Sequence, residues 1–166
     1  MMQEIKVKNV VIGKQFENSE NYQEFIKIVN EKKIKVYVVQ AGQKINIEKN
    51  LYFDVLWPSS NNVVTENVLN NNSLVCKLNY KNFTMLFTGD IEEIAEEKIL
   101  EEVNDEWLKA DVLKVGHHGS KTSSIEGFIK AVKPGIALIG VGRNNNFGHP
   151  NNDVLNRFDK LRYKNF

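Results

Sequence analysis

The chain has 166 residues, 42% of them hydrophobic, enough to bury a core as one domain or as half of a larger one. Its 22 basic and 21 acidic residues leave a formal charge of +1, which gives no electrostatic drive toward nucleic acid or an anionic membrane. The single cysteine, Cys76, excludes a disulfide framework and a cysteine-rich zinc site, and no apolar run approaches the ~20 residues of a membrane span.

In chain order, residues 6–12 (KVKNVVI) read as a short strand, too polar with the residues before them for a signal peptide. Ser19 opens a helix that carries Tyr22, Phe25, Ile26 and Val29 on one face. Strands are expected at 34–39, 45–47 and 52–57, with a turn at Gly42 and a stop at Pro58, which offers no donor to a ladder. The Asn- and Ser-rich stretch 59–72 reads as a loop. Residues 73–80 and 81–88 form a hairpin across Asn79–Asn82, where Cys76 alternates with Leu74 and Leu78 as a small buried apolar residue. Asp90 then starts a helix over 91–102. Strands at 111–115 and 135–141 alternate with a helix from Ser123 to about Val132, and a last amphipathic helix follows Pro150. Hairpins followed by strand–helix–strand–helix make the class α/β. As it stands, the chain is expected to be soluble and cytosolic, unless it is cut from a larger membrane protein.

Three segments carry chemistry, each at the end of a predicted strand and the start of a helix. In Phe87-Thr88-Gly89-Asp90 the carboxylate suits a metal, but local sequence favours Asp90 with Glu93 as a D-x-x-E helix cap, which needs none. In Gly116-His117-His118-Gly119-Ser120 two of the chain's three histidines stand between glycines, ahead of an S-x-x-E box at Ser123 and Glu126. The bland alternative is a polar turn with solvated histidines. Between Gly142 and Pro150, Arg143 suits a phosphate or carboxylate, while His149 suits a ligand or a supporting donor. Strand ends of one sheet converge, so Asp90, His117, His118 and His149 are expected to share a site.

At these residues the chain resembles the metallo-β-lactamase superfamily, most closely the ComEC-type competence hydrolase domains. The resemblance is carried by NNNSLVCKLNYKNFTMLFTGDIE (70–92), ADVLKVGHHGSKTSS (110–124) and GVGRNNNFGHPNNDVLNRF (140–158). It implies an αββα sandwich, a mixed sheet with flanking helices, and a dinuclear site in which Asp90 bridges the metals. One of His117 and His118 is then a ligand, with His117 slightly preferred. Asp90 and His118 are the candidate catalytic pair, and Ser120, Lys121, Arg143 and His149 are the residues near substrate. Mixed nitrogen and oxygen donors allow zinc, manganese or iron.

Members of this superfamily also carry an H-x-H-x-D-H cluster in their first half, and this chain has no histidine before His117. The expectation is therefore a single partial domain over residues 1–166, equivalent to the C-terminal half, with little or no turnover alone and a place in DNA uptake. Its partner is a second copy, bound through an exposed apolar sheet face, or a chain that supplies the missing half. Substrates of phosphodiester or nucleic-acid type follow from the resemblance. Against these stand a non-catalytic remnant or binding module and a flavodoxin-like binding protein, which the hairpins before Asp90 fit poorly.

Overall fold

A computed structural model describes residues 4–14, 19–61, 63–161 and 164–165. Strand β1 (Asn9–Gly13) runs parallel to β2 (Lys35–Val39), with Asn9 opposite Lys35 and Gly13 opposite Val39. Helix α1 (Glu20–Glu31) connects them. It starts where its residues dictate: the Ser19 hydroxyl accepts from the Tyr22 amide at 3.2 Å, and Val29 is buried on the apolar face. Beyond β2, the Ala41 amide donates to the Pro58 carbonyl and ties this two-stranded sheet to the larger one.

The larger sheet has seven strands in sequence order. β3 (Lys44–Glu48), β4 (Leu51–Trp57), β5 (Val75–Tyr80) and β6 (Phe83–Phe87) are antiparallel, joined by short turns except between β4 and β5. From β6 onward every pairing is parallel, through β7 (Val112–Lys114), β8 (Ile136–Leu138) and β9 (Lys164–Asn165). A parallel pairing needs a crossover. Helix α3 (Glu93–Glu102) with the short α4 (Asp105–Leu108), then α5 (Glu126–Val132), then α6 (Asn152–Lys160) supply the three crossovers. The expected mixed α/β architecture is present.

Register assigns the two faces of this sheet. Val75, Leu86, Leu113 and Ala137 lie on one face and join Ala95, Ile99, Phe128, Ile129, Val154 and Phe158 of the helices in one buried core. Phe53, Cys76, Leu78, Met85 and Phe87 lie on the other face and are only half-buried, with the Phe53 and Phe87 rings 6.1 Å apart. Cys76 packs as a small apolar residue, and burial pushes its thiol up to about 11.

Several sequence expectations give way to contacts from afar. Residues 59–72 are not all loop, because α2 (Val68–Asn71) forms there on buried asparagines. The Asn72 side chain donates to the Val64 and Val68 carbonyls and accepts from the Val64 amide, while Trp57 Nε1 donates to the Asn71 carbonyl. These amides stand in for backbone partners the segment lacks. Helix α4 and β9 have no counterpart in the sequence pattern; Asn104 caps α4 by accepting from the Glu106 amide.

Two predicted caps are wrong. Helix α3 begins at Glu93, after an extended Glu92, and Asp90 caps nothing. Ile91, fully buried, holds the segment between Asp90 and the helix in the core instead. At α5 the Ser123 hydroxyl donates to the Gly116 and Ser120 carbonyls, so no box with Glu126 forms. The amides of Ser124 and Ile125, just ahead of the helix, donate instead to the Glu96 carboxylate at 2.6 and 2.7 Å.

Candidate functional site

The three motifs stand at the C-terminal ends of β6, β7 and β8, which neighbour one another in the sheet. Thr88 Oγ1 donates to the Lys114 carbonyl at 2.7 Å and locks the ends of β6 and β7 together. Gly89 then turns with φ +54°, and a Cβ there would come within 2.6 Å of Ser73 Cβ. Gly89→Ala is expected to destabilise the chain by on the order of 2–4 kcal/mol, from left-handed strain plus the clash. Thermal unfolding checks this, and an unchanged Tm contradicts it.

Asp90, delivered by that turn, is half-exposed. Its Oδ1 lies 3.7 Å from Lys114 Nζ and 3.6 Å from His118 Nε2. Lys114 also donates to the Gly89 carbonyl at 2.7 Å. Burial pulls its ammonium pKa down, opposed by the charge of Asp90. His118 Nδ1 sits 2.6 Å from the Gly140 carbonyl. A carbonyl only accepts, so Nδ1 carries a proton, and Nε2 is the ring nitrogen that faces Asp90. A metal-ligating imidazole is commonly held in this way by a hydrogen bond at its other nitrogen.

His117 points elsewhere. Its Nδ1 is 3.2 Å from Glu92 Oε1 but out of line for a hydrogen bond, and that nitrogen is buried without a partner. Its ring meets the His149 ring edge-on, with centroids 5.8 Å apart. Both His117 (φ 45°, ψ 42°) and His118 (φ 54°, ψ 25°) adopt left-handed backbone. Each such residue costs about 1–3 kcal/mol, a strain that gathers where a site needs a particular side-chain direction. Gly119 follows with φ +75°, and a Cβ there would meet Pro150 at 2.9 Å, so the histidine turn packs directly on the segment after His149. The His149 pKa is pulled down by burial, then by the neighbouring His117 and His118.

The remaining predicted residues are less central. Ser120 is buried and shares a hydrogen bond with Thr122. Lys121 is exposed, and its carbonyl accepts from Arg157 at 3.4 Å. Arg143 is exposed on the loop that leads to His149. Sequence reasoning passed over two residues that shape the site. Glu92 accepts from Asn67 at 2.7 Å and from Thr122 at 3.1 Å, and the Asn71 side chain accepts from its amide. Lys114 is a charge at the end of an apolar strand, and that position was a signal that it needed a partner.

The donors that converge are Asp90 and His118. At 3.6 Å they can be bridged by one ion about 2.0–2.2 Å from each. Among the described residues no group of three or more His, Cys, Asp or Glu side chains is placed to hold a metal. That falls short of the three protein ligands a catalytic zinc usually takes. The arrangement fits part of a metal site. Among the described residues, no helix is long and apolar enough to cross a membrane.

No family model matches the chain. It is 36% identical over 150 residues to ComE operon protein 3 of Bacillus subtilis, covering 90% of this chain and 19% of that protein. It is 39% identical over 114 residues to Recombination protein 2 of Haemophilus influenzae, covering 69% and 13%. Competence protein ComA of Neisseria gonorrhoeae matches at 34% over 105 residues, covering 63% and 15%. The chain thus spans less than a fifth of the length of these relatives. Among solved structures, a putative metal-dependent hydrolase from Parabacteroides distasonis superposes with a TM-score of 0.52 at 11% identity, covering 97% of this chain and 76% of the other. CmlA, a diiron β-hydroxylase from Streptomyces venezuelae, gives 0.55 at 8% identity, covering 95% and 38%.

Proposed function

We infer, from the premise that this chain is homologous to a segment of the ComEC-type competence proteins and has a metallo-β-lactamase type of fold, that it supplies the Asp90–His118 part of a metal-dependent hydrolase site. One observation carries the reading: the Gly140 carbonyl holds His118 Nδ1 at 2.6 Å, so that Nε2 faces Asp90 Oδ1 at 3.6 Å. A divalent ion held there supplies Lewis acidity and acidifies a bound water. This chain's own residues hold one side of that ion. The Gly89 turn orients the carboxylate, and the strained histidine turn orients the imidazole. The missing donors come from outside the described residues, from a histidine cluster on another segment or chain. The half-buried apolar face around Phe53 and Phe87 offers a partner half, or a second copy, a surface to cover. Phosphodiesters are the substrate class this reading favours.

In this reading the isolated chain binds zinc weakly through two protein donors and turns over no phosphodiester. Zinc retained after dialysis, measured by elemental analysis, is expected to fall in His118→Ala and Asp90→Asn and to change less in His117→Ala. Equal zinc in wild type, Asp90→Asn and His118→Ala sinks the assignment. A second reading, an interaction module that keeps the architecture without chemistry, draws on the absence of a three-ligand group among the described residues. Hydrolysis of bis(p-nitrophenyl) phosphate by the chain plus a histidine-cluster segment of a relative, but by neither alone, separates the two.

A further inference from the structure

Beside the Asp90–His118 pair lies a small cleft of about 190 Å3, lined by His118, Val141, Gly142, Asn145, Phe147 and His149. Phe147 is 81% exposed, and Val141 across the cleft is 41% exposed. Lone exposed apolar side chains are ordinary. Phe147 differs because its ring stacks on His149, with centroids 5.9 Å apart and planes at 20°, and His149 in turn meets His117. The rings of His117, His149 and Phe147 therefore form a row that ends in solvent at Phe147.

The loop that displays Phe147 is already ordered. The Asn145 side chain donates to the His149 and Gly142 carbonyls at 2.8 and 3.2 Å and accepts from the His149 amide at 3.0 Å. The Asn145 amide adds a bond to the Gly142 carbonyl at 3.1 Å. A bound ring thus meets a platform that needs little further ordering. Size fits as well, since a cavity of about 150 Å3 suffices to hold benzene. Arg143, exposed on the same loop, brings a permanent cation for an anionic group.

We propose that the 140–149 loop is a subsite for one planar aromatic ring of an anionic ester, stacked on Phe147 with its acidic group toward Asp90 and His118. The subsite rests on the reading of that pair as the reacting edge, but its ring preference is a property of Phe147 alone. A nucleobase and a simple aryl group share the required chemistry.

Phenyl phosphate, methyl phosphate and thymidine 5′-monophosphate, titrated by NMR into the metal-free full chain, test the idea. Phenyl phosphate is expected to bind about tenfold tighter than methyl phosphate, within the range of ring stacking on an aromatic side chain. Phe147→Ala reduces that ratio to about one, and Phe147→Trp keeps it. Thymidine monophosphate that follows phenyl phosphate identifies a nucleobase as the source; a gain for phenyl phosphate alone identifies a smaller aryl ester. No detectable binding of phenyl phosphate, or an unchanged ratio in Phe147→Ala, overturns the subsite. Because metal is left out, that failure is separate from a failure of zinc retention to depend on Asp90 and His118.

Discussion

Glu96→Ala is expected to destabilise the chain by on the order of 3 kcal/mol and to loosen the segment beneath the histidine turn. The Glu96 carboxylate is 1% exposed and accepts from the Ser124 and Ile125 amides, which immediately precede α5. Removing it strands two buried amides, each costing about 1–3 kcal/mol, and leaves a cavity. Arg157 completes the joint from the opposite side by donating to the Ser123 and Ser124 carbonyls at 2.8 and 3.0 Å. Ser123 in turn holds the Gly116 carbonyl, so the loss spreads toward His117 and His118.

The same residue makes stability depend on pH. Burial pushes the Glu96 carboxyl up to about 7, against the pull of its two amide partners and Arg157. The folded chain therefore holds this proton more tightly than the unfolded chain does. That contribution is fully present below about pH 4.5 and is lost as pH rises through about 7. A shift of this size corresponds to a few kcal/mol. Glu96→Gln imitates the protonated carboxyl, so it is expected to match wild type near pH 5 and to exceed it near pH 8. Urea unfolding of both proteins at the two pH values reads the difference directly, since other carboxylates titrate alike in each. Parallel pH profiles would falsify this account of Glu96.

Lys114→Met is expected to tighten zinc binding by tenfold or more. Lys114 Nζ lies 3.7 Å from the carboxylate oxygen that also faces His118, so its charge stands where it repels an incoming dication. A pair of unit charges at about 4 Å is worth roughly 1–4 kcal/mol between bulk water and a protein surface. The Lys114 and Asp90 side chains are 25% and 41% exposed, which places the effect toward the lower end. Met keeps the length and apolar stem of lysine, so packing against β6 survives while the charge and the bond to the Gly89 carbonyl go. Competition with a chelator measures the affinity. Equal or weaker binding in Lys114→Met removes the lysine from any role in the metal balance.

Much of this architecture is legible in residue order because the forces involved are local. Ser19 and the spacing of Tyr22, Phe25 and Val29 place α1 correctly. The hairpin ending in Phe87-Thr88-Gly89-Asp90 forms where alternation and turn residues require it. The three motifs fall at strand ends because each follows an apolar run and precedes a helix start, and adjacent parallel strands bring such ends together.

The errors have a common cause. Asp90 with Glu93, and Ser123 with Glu126, have the spacing of caps, yet neither pair caps a helix. Backbone donors at a helix start need a partner, but nothing requires that partner to be a sequence neighbour. For the Ile125 amide at the N-cap of α5 it is Glu96, which reaches from α3. The asparagines at 71 and 72 likewise order a stretch whose composition reads as loop.

Residue types and their spacing already place an acid and two histidines at one edge of a mixed sheet, because strand and helix periodicity decide where each motif falls. Which histidine faces Asp90 depends on a carbonyl 22 residues beyond His118 and on two left-handed backbone positions. That choice, and the lysine set against the same carboxylate, arise only when β6, β7 and β8 lie side by side. Hydrogen bonds and charges act through space at about 3–4 Å, and order along the chain does not encode such distances.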